Sequence, residues 1–470
     1  MRPVPAICCA LLLALAGCSV GFGGSTGTSA PAATPSPTET TPVPAGTPTP
    51  TEPPTPMRTP TAVTTPTPRE PDGGTLAGLL GDDGARITAR GGTLPLDPTL
   101  VYDRTRRLLG TEAPRPGTVQ LLDTTANTTR PPEFQRLLGL ERNVSEVEAV
   151  AFVVGPRTVY VNRNLTNRPA RLEHVLAHEF THTVQFRRGV VGRVTAATDA
   201  GPDGRFASTA VIEGAATYTE DRYWLAYLAN GTDAGTRPGA DVERRHRAGE
   251  GAVRYALAPY RFGYRYADAT VAGPADLDTV YADPPLTGEQ VLHPGTREAP
   301  VALQVTLRGE RTGTWRETFS PRRGRVGEAL LRTALATELD AERAARAAAG
   351  WGNDTRIAFN DPAGTRGYAW VLRFDDDDDA SEFDAAVRTY LDRRTDGTGA
   401  PASGGRGSTA DAGTRWEGTL DDRTVAYRLV RVDTRTAVLL VGAPAFVDPG
   451  TTAVSSEAGR VVVATGDEST

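Results

Sequence analysis

The chain of 470 residues contains no lysine, so all 51 of its basic residues are arginine. Its net charge is −6, and no basic run is long enough to indicate a nucleic-acid-binding protein. The three cysteines, Cys8, Cys9 and Cys18, all lie at the amino terminus. The rest of the sequence therefore has no disulfide, and cysteine is excluded there as a metal ligand.

Residues 1–18 have the composition of a secretion signal. Arg2 precedes an apolar stretch, Ile7 to Ala16, that is far too short to span a bilayer. The sequence Leu15-Ala16-Gly17-Cys18 resembles a lipobox, which implies cleavage before Cys18 and a lipid on its thiol. A plain signal peptide with an incidental cysteine is the alternative. The lipobox reading predicts a protein anchored in the cell membrane and facing the exterior.

Residues 19–73 are mostly Thr, Pro, Ser, Ala and Gly, which indicates a stalk that forms no core. The remainder is long enough for one large or two moderate domains. We divide it into a first domain at 74–300 and a C-terminal α+β region at 301–470, with a flexible linker or insertion at 396–414.

Helical periodicity and β-branched runs alternate through this folded part, which predicts an α+β fold. The predicted helices cover residues 98–109, 167–188, 208–228, 327–348 and 381–391, and the predicted strands cover 118–122, 148–154, 158–161, 301–307, 369–374, 425–432 and 437–441. Strands 148–154 and 158–161 flank Gly155-Pro156 and predict a hairpin, and the last two strands predict a closing hairpin.

The most informative stretch is His178-Glu179-Phe180-Thr181-His182, which holds two of only five histidines. It lies in the helix predicted at 167–188, where Asn167 is the expected N-cap and Gly189 the expected stop. Residues four apart share a helix face, so both imidazoles can bind one zinc ion. Glu179 lies beside that face, within reach of a metal-bound water, as zinc peptidases require of a general base. Two surface histidines on a solvated helix are the alternative.

A third metal ligand is expected from the following helix, at 208–228. Glu213 precedes Gly214, which costs roughly 1 kcal/mol against alanine inside a helix. A glycine there makes sense if two helices approach closely so that Glu213 reaches the metal. An ordinary exposed glutamate is the alternative. The extended metzincin pattern is excluded, because positions 185 and 188 are Gln185 and Arg188.

Together, His178-Glu179-x-x-His182 and the helix with Glu213-Gly214-x-Ala216 resemble the gluzincin group of zinc peptidases, to which thermolysin belongs. The resemblance implies a zincin-like core with a mixed sheet, an active-site helix and a glutamate helix. It also implies Zn²⁺ held by His178, His182 and Glu213, with Glu179 as base. A strand beside the cleft, here Thr158 to Val161, would pair with an extended substrate.

Three further stretches resemble a smaller set of uncharacterised prokaryotic proteins of this group, so that the likeness covers roughly residues 145–395. They are Gln185, Thr287 to Pro294, and Ala348 to Asp354. One departure matters, because the family has an aspartate four residues after the glutamate ligand and this chain has Thr217. Glu220 and Asp221, one turn further on, are the alternatives for that role.

Other candidates rest on residue type alone. Tyr260, Tyr264 and His293 could each donate a hydrogen bond to the oxyanion of a tetrahedral intermediate, although the tyrosines more simply pack in the core. His174 is a second-shell group or a partly buried histidine without a catalytic role. The basic run 244–247 is interpreted as a solvated face, and the acidic run 375–379 as a solvated turn, with a calcium site as its alternative.

The sequence thus predicts a surface-anchored zinc peptidase that hydrolyses peptides or proteins. A zinc-containing binding protein with a zincin fold and no turnover is the second hypothesis, and Thr217 favours it. A plain solute-binding lipoprotein is the third, and the His178–His182 motif argues against it.

Overall fold

Thirteen helices and fourteen strands make up the described part of the chain, and they build three β-sheets. The structure is a computed structural model that describes residues 86–123, 130–141, 150–231, 234–309, 314–319, 323–402 and 412–466. The predicted signal, the stalk and residues 403–411 of the predicted linker 396–414 lie outside the described residues. The mixture of helices and separate sheets confirms the α+β class.

The first sheet has four strands in the order β1-β2-β4-β3. These are β1 (Thr88–Arg90), β2 (Thr118–Leu122), β3 (Ala151–Val153) and β4 (Thr158–Asn162). β1, β2 and β4 are parallel, and β3 pairs antiparallel with β4, as the hairpin prediction required. The expectation that Thr158 to Val161 pairs with substrate is wrong, because β4 already has β2 on one side and β3 on the other.

Two long helices follow this sheet. Helix α3 (Pro169–Arg187) starts with proline in its first turn, where a missing N–H costs nothing. Asn167 does not cap it but ends a 3₁₀ turn, Arg163–Asn167, that runs directly into the helix. Gly189 takes up the left-handed φ of 65° after the last turn, as predicted for a stop.

Helix α5 (Pro202–Tyr227) begins six residues earlier than the predicted start at 208, because Pro202 suits its first turn. The remaining helices of this part of the chain surround α3 and α5. They are α1 (Pro98–Leu108), α2 (Glu133–Leu137), α4 (Val190–Ala197), α6 (Pro238–Ala248), α7 (Gly251–Thr270), α8 (Leu277–Ala282) and α9 (Gly288–Leu292).

The C-terminal part contains a seven-stranded antiparallel sheet in the order β6-β7-β8-β12-β11-β10-β9. A three-stranded sheet, β13-β14-β5, lies beside it. Their bounds are β5 (Val305–Arg308), β6 (Arg316–Glu317), β7 (Trp351–Asn360), β8 (Arg366–Phe374), β9 (Ala400–Pro401), β10 (Thr414–Leu420), β11 (Arg423–Arg431), β12 (Thr436–Gly442), β13 (Thr452–Glu457) and β14 (Arg460–Thr465). The predicted hairpin of β11 and β12 is present, but it does not close the fold, since β13 and β14 follow it.

Four helices complete this region: α10 (Glu328–Leu335), α11 (Ala341–Ala348), α12 (Asp377–Arg394) and α13 (Pro444–Val447). The single helix predicted at 327–348 is wrong, because Asp340 accepts a hydrogen bond from the Arg343 N–H and starts a new helix. The acidic run is not a loose turn. Asp376 caps α12, and the acids that follow occupy its first turn, where the helix dipole favours negative charge.

The large sheet has a hydrophobic core on each of its two faces, and successive residues of a strand contribute to them in turn. Along β8, Tyr368, Trp370 and Leu372 join the cluster under α10, α11 and α12. The intervening Ala369 and Val371 join the cluster that faces the three-stranded sheet. Phe134 of α2 packs edge-on against Trp370 at 5.5 Å between ring centroids, so the first domain and the C-terminal region share a core across residue 300. Among the described residues, no helix has the length and apolar character that crossing a membrane requires.

Candidate metal centre

The centre is formed where α5 crosses α3. His178 and His182 lie one turn apart on α3 and are 1 % and 2 % exposed, and Glu213 of α5 is fully buried. The two imidazole Nε2 atoms are 3.2 Å apart. The Glu213 Oε2 atom lies 3.4 Å from Nε2 of His178 and 3.3 Å from Nε2 of His182. The three atoms form a nearly equilateral triangle.

This triangle has the size that a tetrahedral zinc site needs. Zinc bonds of about 2.0–2.1 Å to nitrogen and oxygen place neighbouring ligand atoms about 3.3–3.4 Å apart in a tetrahedron. The other Glu213 oxygen, Oε1, is buried and has no hydrogen-bond partner among the described residues, which is costly without a cation nearby. Of the residues described here, this is the only cluster of three or more His, Cys, Asp or Glu side chains with metal-ligand spacing. The donor set therefore fits Zn²⁺.

The far side of the His182 ring is held by Gln185. Its Oε1 lies 2.8 Å from His182 Nδ1, while its Nε2 donates to the Ile212 carbonyl and to the Tyr281 hydroxyl, each at 3.0 Å. Because the amide nitrogen is committed to two acceptors, the amide oxygen must accept from His182 Nδ1–H. That tautomer leaves the Nε2 lone pair directed at the centre.

The far side of the His178 ring is held by Glu220. Its Oε2 lies 3.1 Å from His178 Nδ1, and its Oε1 lies 2.6 Å from His174 Nδ1. Of the two alternatives to Thr217, only Glu220 is hydrogen-bonded to a histidine of the cluster. Asp221 instead forms a two-point ion pair with Arg237, at 2.8 and 2.7 Å.

The protonation of the cluster reflects this charge arrangement. Burial opposes a charged imidazole at His178, but hydrogen bonds to Glu213 and Glu220 outweigh it, and the pKa of His178 is raised well above its usual value. Burial likewise opposes the Glu213 carboxylate, but the positive charge of His182 and the two imidazole hydrogen bonds lower the pKa of Glu213 to about 2. The two imidazoles and the Glu213 carboxylate thus stabilise opposite charges on each other.

Glu179, the predicted base, follows His178 directly on α3 and is fully buried. Its negative charge is one of the causes that raise the pKa of both His178 and His182. The role of Glu179 as general base stays a prediction.

Gly214 serves a close helix crossing, although its partner is not α3. A Cβ added to Gly214 would lie 2.1 Å from the carbonyl carbon of Gly263 on α7. A Cβ added to Gly263 would lie 2.0 Å from the Ala210 carbonyl oxygen. The two glycines let the backbones of α5 and α7 come into contact. This contact fixes the position of α5 at Gly214, the residue directly after the ligand Glu213.

Two of the three predicted oxyanion donors, Tyr264 and His293, have other partners. The Tyr264 hydroxyl lies 3.4 Å from both Asp221 Oδ2 and Arg237 Nη2. His293 Nε2 lies 3.0 Å from each oxygen of Glu328, outside the three-residue cluster. Tyr260 is buried on α7. The hydrogen bonds of Tyr264 and His293 in the described part of the chain lead to Asp221, Arg237 and Glu328 and not to the three donors, and the oxyanion role stays a prediction for all three residues.

Two further histidines bear on the sequence predictions: the position of His174 decides between its two alternatives, and that of His246 contradicts the prediction for it. His174 is hydrogen-bonded to the same Glu220 carboxylate that contacts His178, so it supports the cluster without touching the three donors. His246, assigned to a solvated basic face, is 7 % exposed and packs edge-on against Phe262 at 5.4 Å. That assignment is wrong for His246, because the apolar side of α6 rests on α7.

Two of the three stretches that suggested the smaller protein set, Thr287 to Pro294 and Ala348 to Asp354, meet at one junction, whereas Gln185 contacts His182. The Gly288 N–H donates to Asp203 Oδ1 at 2.7 Å, at the start of α5. Asp354 accepts from Gly327 N–H at 2.8 Å and from Trp351 Nε1 at 2.9 Å. Gly327 also abuts Asp203, so these residues join the glutamate helix to the C-terminal region.

Comparison with known proteins adds little to this geometry. A family described as a domain of unknown function, DUF8575, matches residues 316–451, which cover all seven strands of the large sheet. No curated protein and no solved structure matches the chain.

Proposed function

We propose that the protein is a zinc-dependent peptidase of the gluzincin type, anchored at the cell surface through Cys18. The observation that supports this most is the triangle of His178 Nε2, His182 Nε2 and Glu213 Oε2, with sides of 3.2, 3.3 and 3.4 Å. When bound there, Zn²⁺ would supply a Lewis acid that makes a water molecule acidic enough to attack a peptide carbonyl.

The protein's own groups have distinct tasks in this proposal. Glu179 accepts the proton of the attacking water and passes it to the leaving nitrogen. Glu179 is fully buried and follows His178 directly on α3, so in this proposal it acts inside the centre rather than from solvent. Gln185 and Glu220 keep both imidazoles oriented, and Gly214 keeps α5 in place.

Replacing the base tests the proposal. The variant Glu179→Gln should keep one zinc per chain and lose hydrolysis of an unstructured protein by about 10²–10⁴-fold. The matched control is Glu173→Gln on the same helix, since Glu173 bonds Arg104 and Tyr223 rather than the cluster. Activity retained in Glu179→Gln would remove Glu179 as base.

The second candidate is a surface binding protein that holds zinc without turnover. Thr217 no longer favours it, because Glu220 occupies the place behind His178. The near-complete burial of all three ligands does favour it, since a structural zinc site is closed whereas a catalytic site keeps a position open to water. Zinc at one per chain in a wild-type protein that cleaves no peptide would support this candidate.

A further inference from the structure

We propose that Glu220, shared between His174 and His178, is the positioning carboxylate of the metal centre, and that it takes the task that the family gives to the residue at position 217. The inference rests on the proposed function, because it concerns how tightly the chain holds the metal. It assigns Glu220 and His174 a role without making either a ligand.

The contacts of Glu220 leave it little freedom. Oε1 faces His174 Nδ1 at 2.6 Å, and Oε2 faces His178 Nδ1 at 3.1 Å. The residue is 5 % exposed. A carboxylate fixed through both oxygens holds one orientation, so the His178 ring that it binds is fixed as well.

The spacing along α5 explains why a residue seven positions after Glu213 can do this. Seven residues are nearly two helical turns, so Glu213 and Glu220 share a face. Helical side chains lean toward the helix amino terminus, and a glutamate is one methylene longer than an aspartate. Glu220 therefore reaches back over the turn where Thr217 lies.

His174 completes the arrangement. It lies one turn before His178 on α3, and its side chain is only 12 % exposed. By holding Oε1, it leaves Oε2 to accept from His178 Nδ1–H, which keeps the His178 Nε2 lone pair on the metal side. The effect on the metal is transmitted through His178 alone.

Zinc affinity of the full chain, measured by competition with a chromogenic chelator, tests the proposal. Glu220→Gln has one carbonyl oxygen for two imidazoles, and we expect it to bind zinc about 10–100-fold more weakly than wild type. Glu220→Asp keeps the charge but not the reach, so it should also bind more weakly. The control Glu173→Gln should bind as wild type does, because Glu173 is bonded to Arg104 and Tyr223.

A rescue experiment separates positioning from simple stability. Adding Thr217→Asp to the Glu220→Gln chain restores a carboxylate on the same helix face and should recover part of the lost affinity. In the Co²⁺-substituted protein, the visible absorption bands should shift in Glu220→Gln and remain unchanged in Glu173→Gln. Thermal unfolding of the metal-free proteins identifies any variant that fails to fold, and the remaining Glu220 variant then decides.

The outcomes are distinct. Zinc binding by a folded Glu220 variant within about twofold of wild type, with unchanged Co²⁺ bands, would overturn the role of Glu220 and leave the metal centre standing. A wild-type chain that binds no zinc would instead refute the proposed function.

Discussion

Replacing Gly214 with alanine tests how the fold positions the third ligand. The added Cβ would lie 2.1 Å from the carbonyl carbon and 2.4 Å from the Cα of Gly263, both of them backbone atoms. Ordinary contact begins near 3.4 Å, so α5 and α7 must separate by more than about 1 Å. Glu213 is the neighbouring residue, so the same shift moves its carboxylate relative to His178 and His182.

The magnitude follows from two opposing effects. Alanine is favoured over glycine inside a helix by about 1 kcal/mol. Overpacking a close crossing costs about 1–3 kcal/mol, and more where only backbone can move. We therefore expect Gly214→Ala to lower the free energy of unfolding by about 2 kcal/mol or more and to weaken zinc binding. Chemical denaturation and chelator competition measure the two effects.

The matched control is Gly192→Ala in α4. No atom lies within 4 Å of the Cβ that this change would add, and the glycine is exposed. This variant should be as stable as wild type or more stable by up to about 1 kcal/mol, with zinc affinity unchanged. If Gly214→Ala behaves as Gly192→Ala does, the close crossing does not position Glu213 and the reasoning fails.

Two further predictions concern groups outside the triangle. Burial, followed by the charges of four arginines led by Arg261, lowers the pKa of His246 to about 3. Since the unfolded chain takes up this proton near pH 6.5, the stability that neutral His246 contributes is present above pH 6.5 and lost as the pH falls toward 3. His246→Gln should flatten that part of the stability curve, and an unchanged curve in pH-dependent denaturation would contradict the burial argument. Tyr264→Phe should cost about 0.5–1.5 kcal/mol of stability through the lost contact with Asp221 and leave the hydrolysis rate largely intact. A loss of hydrolysis of about 100-fold or more would restore the oxyanion role.

The sequence predicted the local elements better than their partners. The helix with both imidazoles was predictable from its apolar spacing, Pro169 and Gly189, because these act within a few residues. The start of α5 was missed, because small residues after Pro202 carry no clear apolar stripe. The sequence predicts one helix at 327–348 where the structure has two, because the apolar periodicity continues through the break at Asp340.

The long-range contacts of the site could be predicted only in part from the sequence. A glycine beside Glu213 indicated a close approach, but nothing local to it identifies Gly263 as the partner. Glu220 was one of two alternatives, and only the crossing of α5 over α3 distinguishes it from Asp221. In the sequence, Gln185 helps to exclude the metzincin pattern but gives no sign of its contact with His182. That contact depends on Ile212 and Tyr281, which hold the Gln185 amide nitrogen.

The strand predicted to pair with substrate is also placed by long-range contacts. The β-branched run at Thr158 to Val161 predicts a strand, and Gly155-Pro156 predicts its hairpin with β3, but nothing local predicts β2 as the other neighbour. Pairing with β2 depends on a segment far along the chain, and it places this strand inside the sheet rather than at its edge.

The central claim is that two imidazoles and one carboxylate converge on a single divalent cation. Anomalous diffraction from crystals of the full chain at the zinc absorption edge tests it most directly. We expect one peak per chain, bonded to Nε2 of His178, Nε2 of His182 and the carboxylate of Glu213 at about 2.0–2.2 Å. A zinc-supplemented crystal with no peak inside that triangle, or a peak bound elsewhere, would contradict the account.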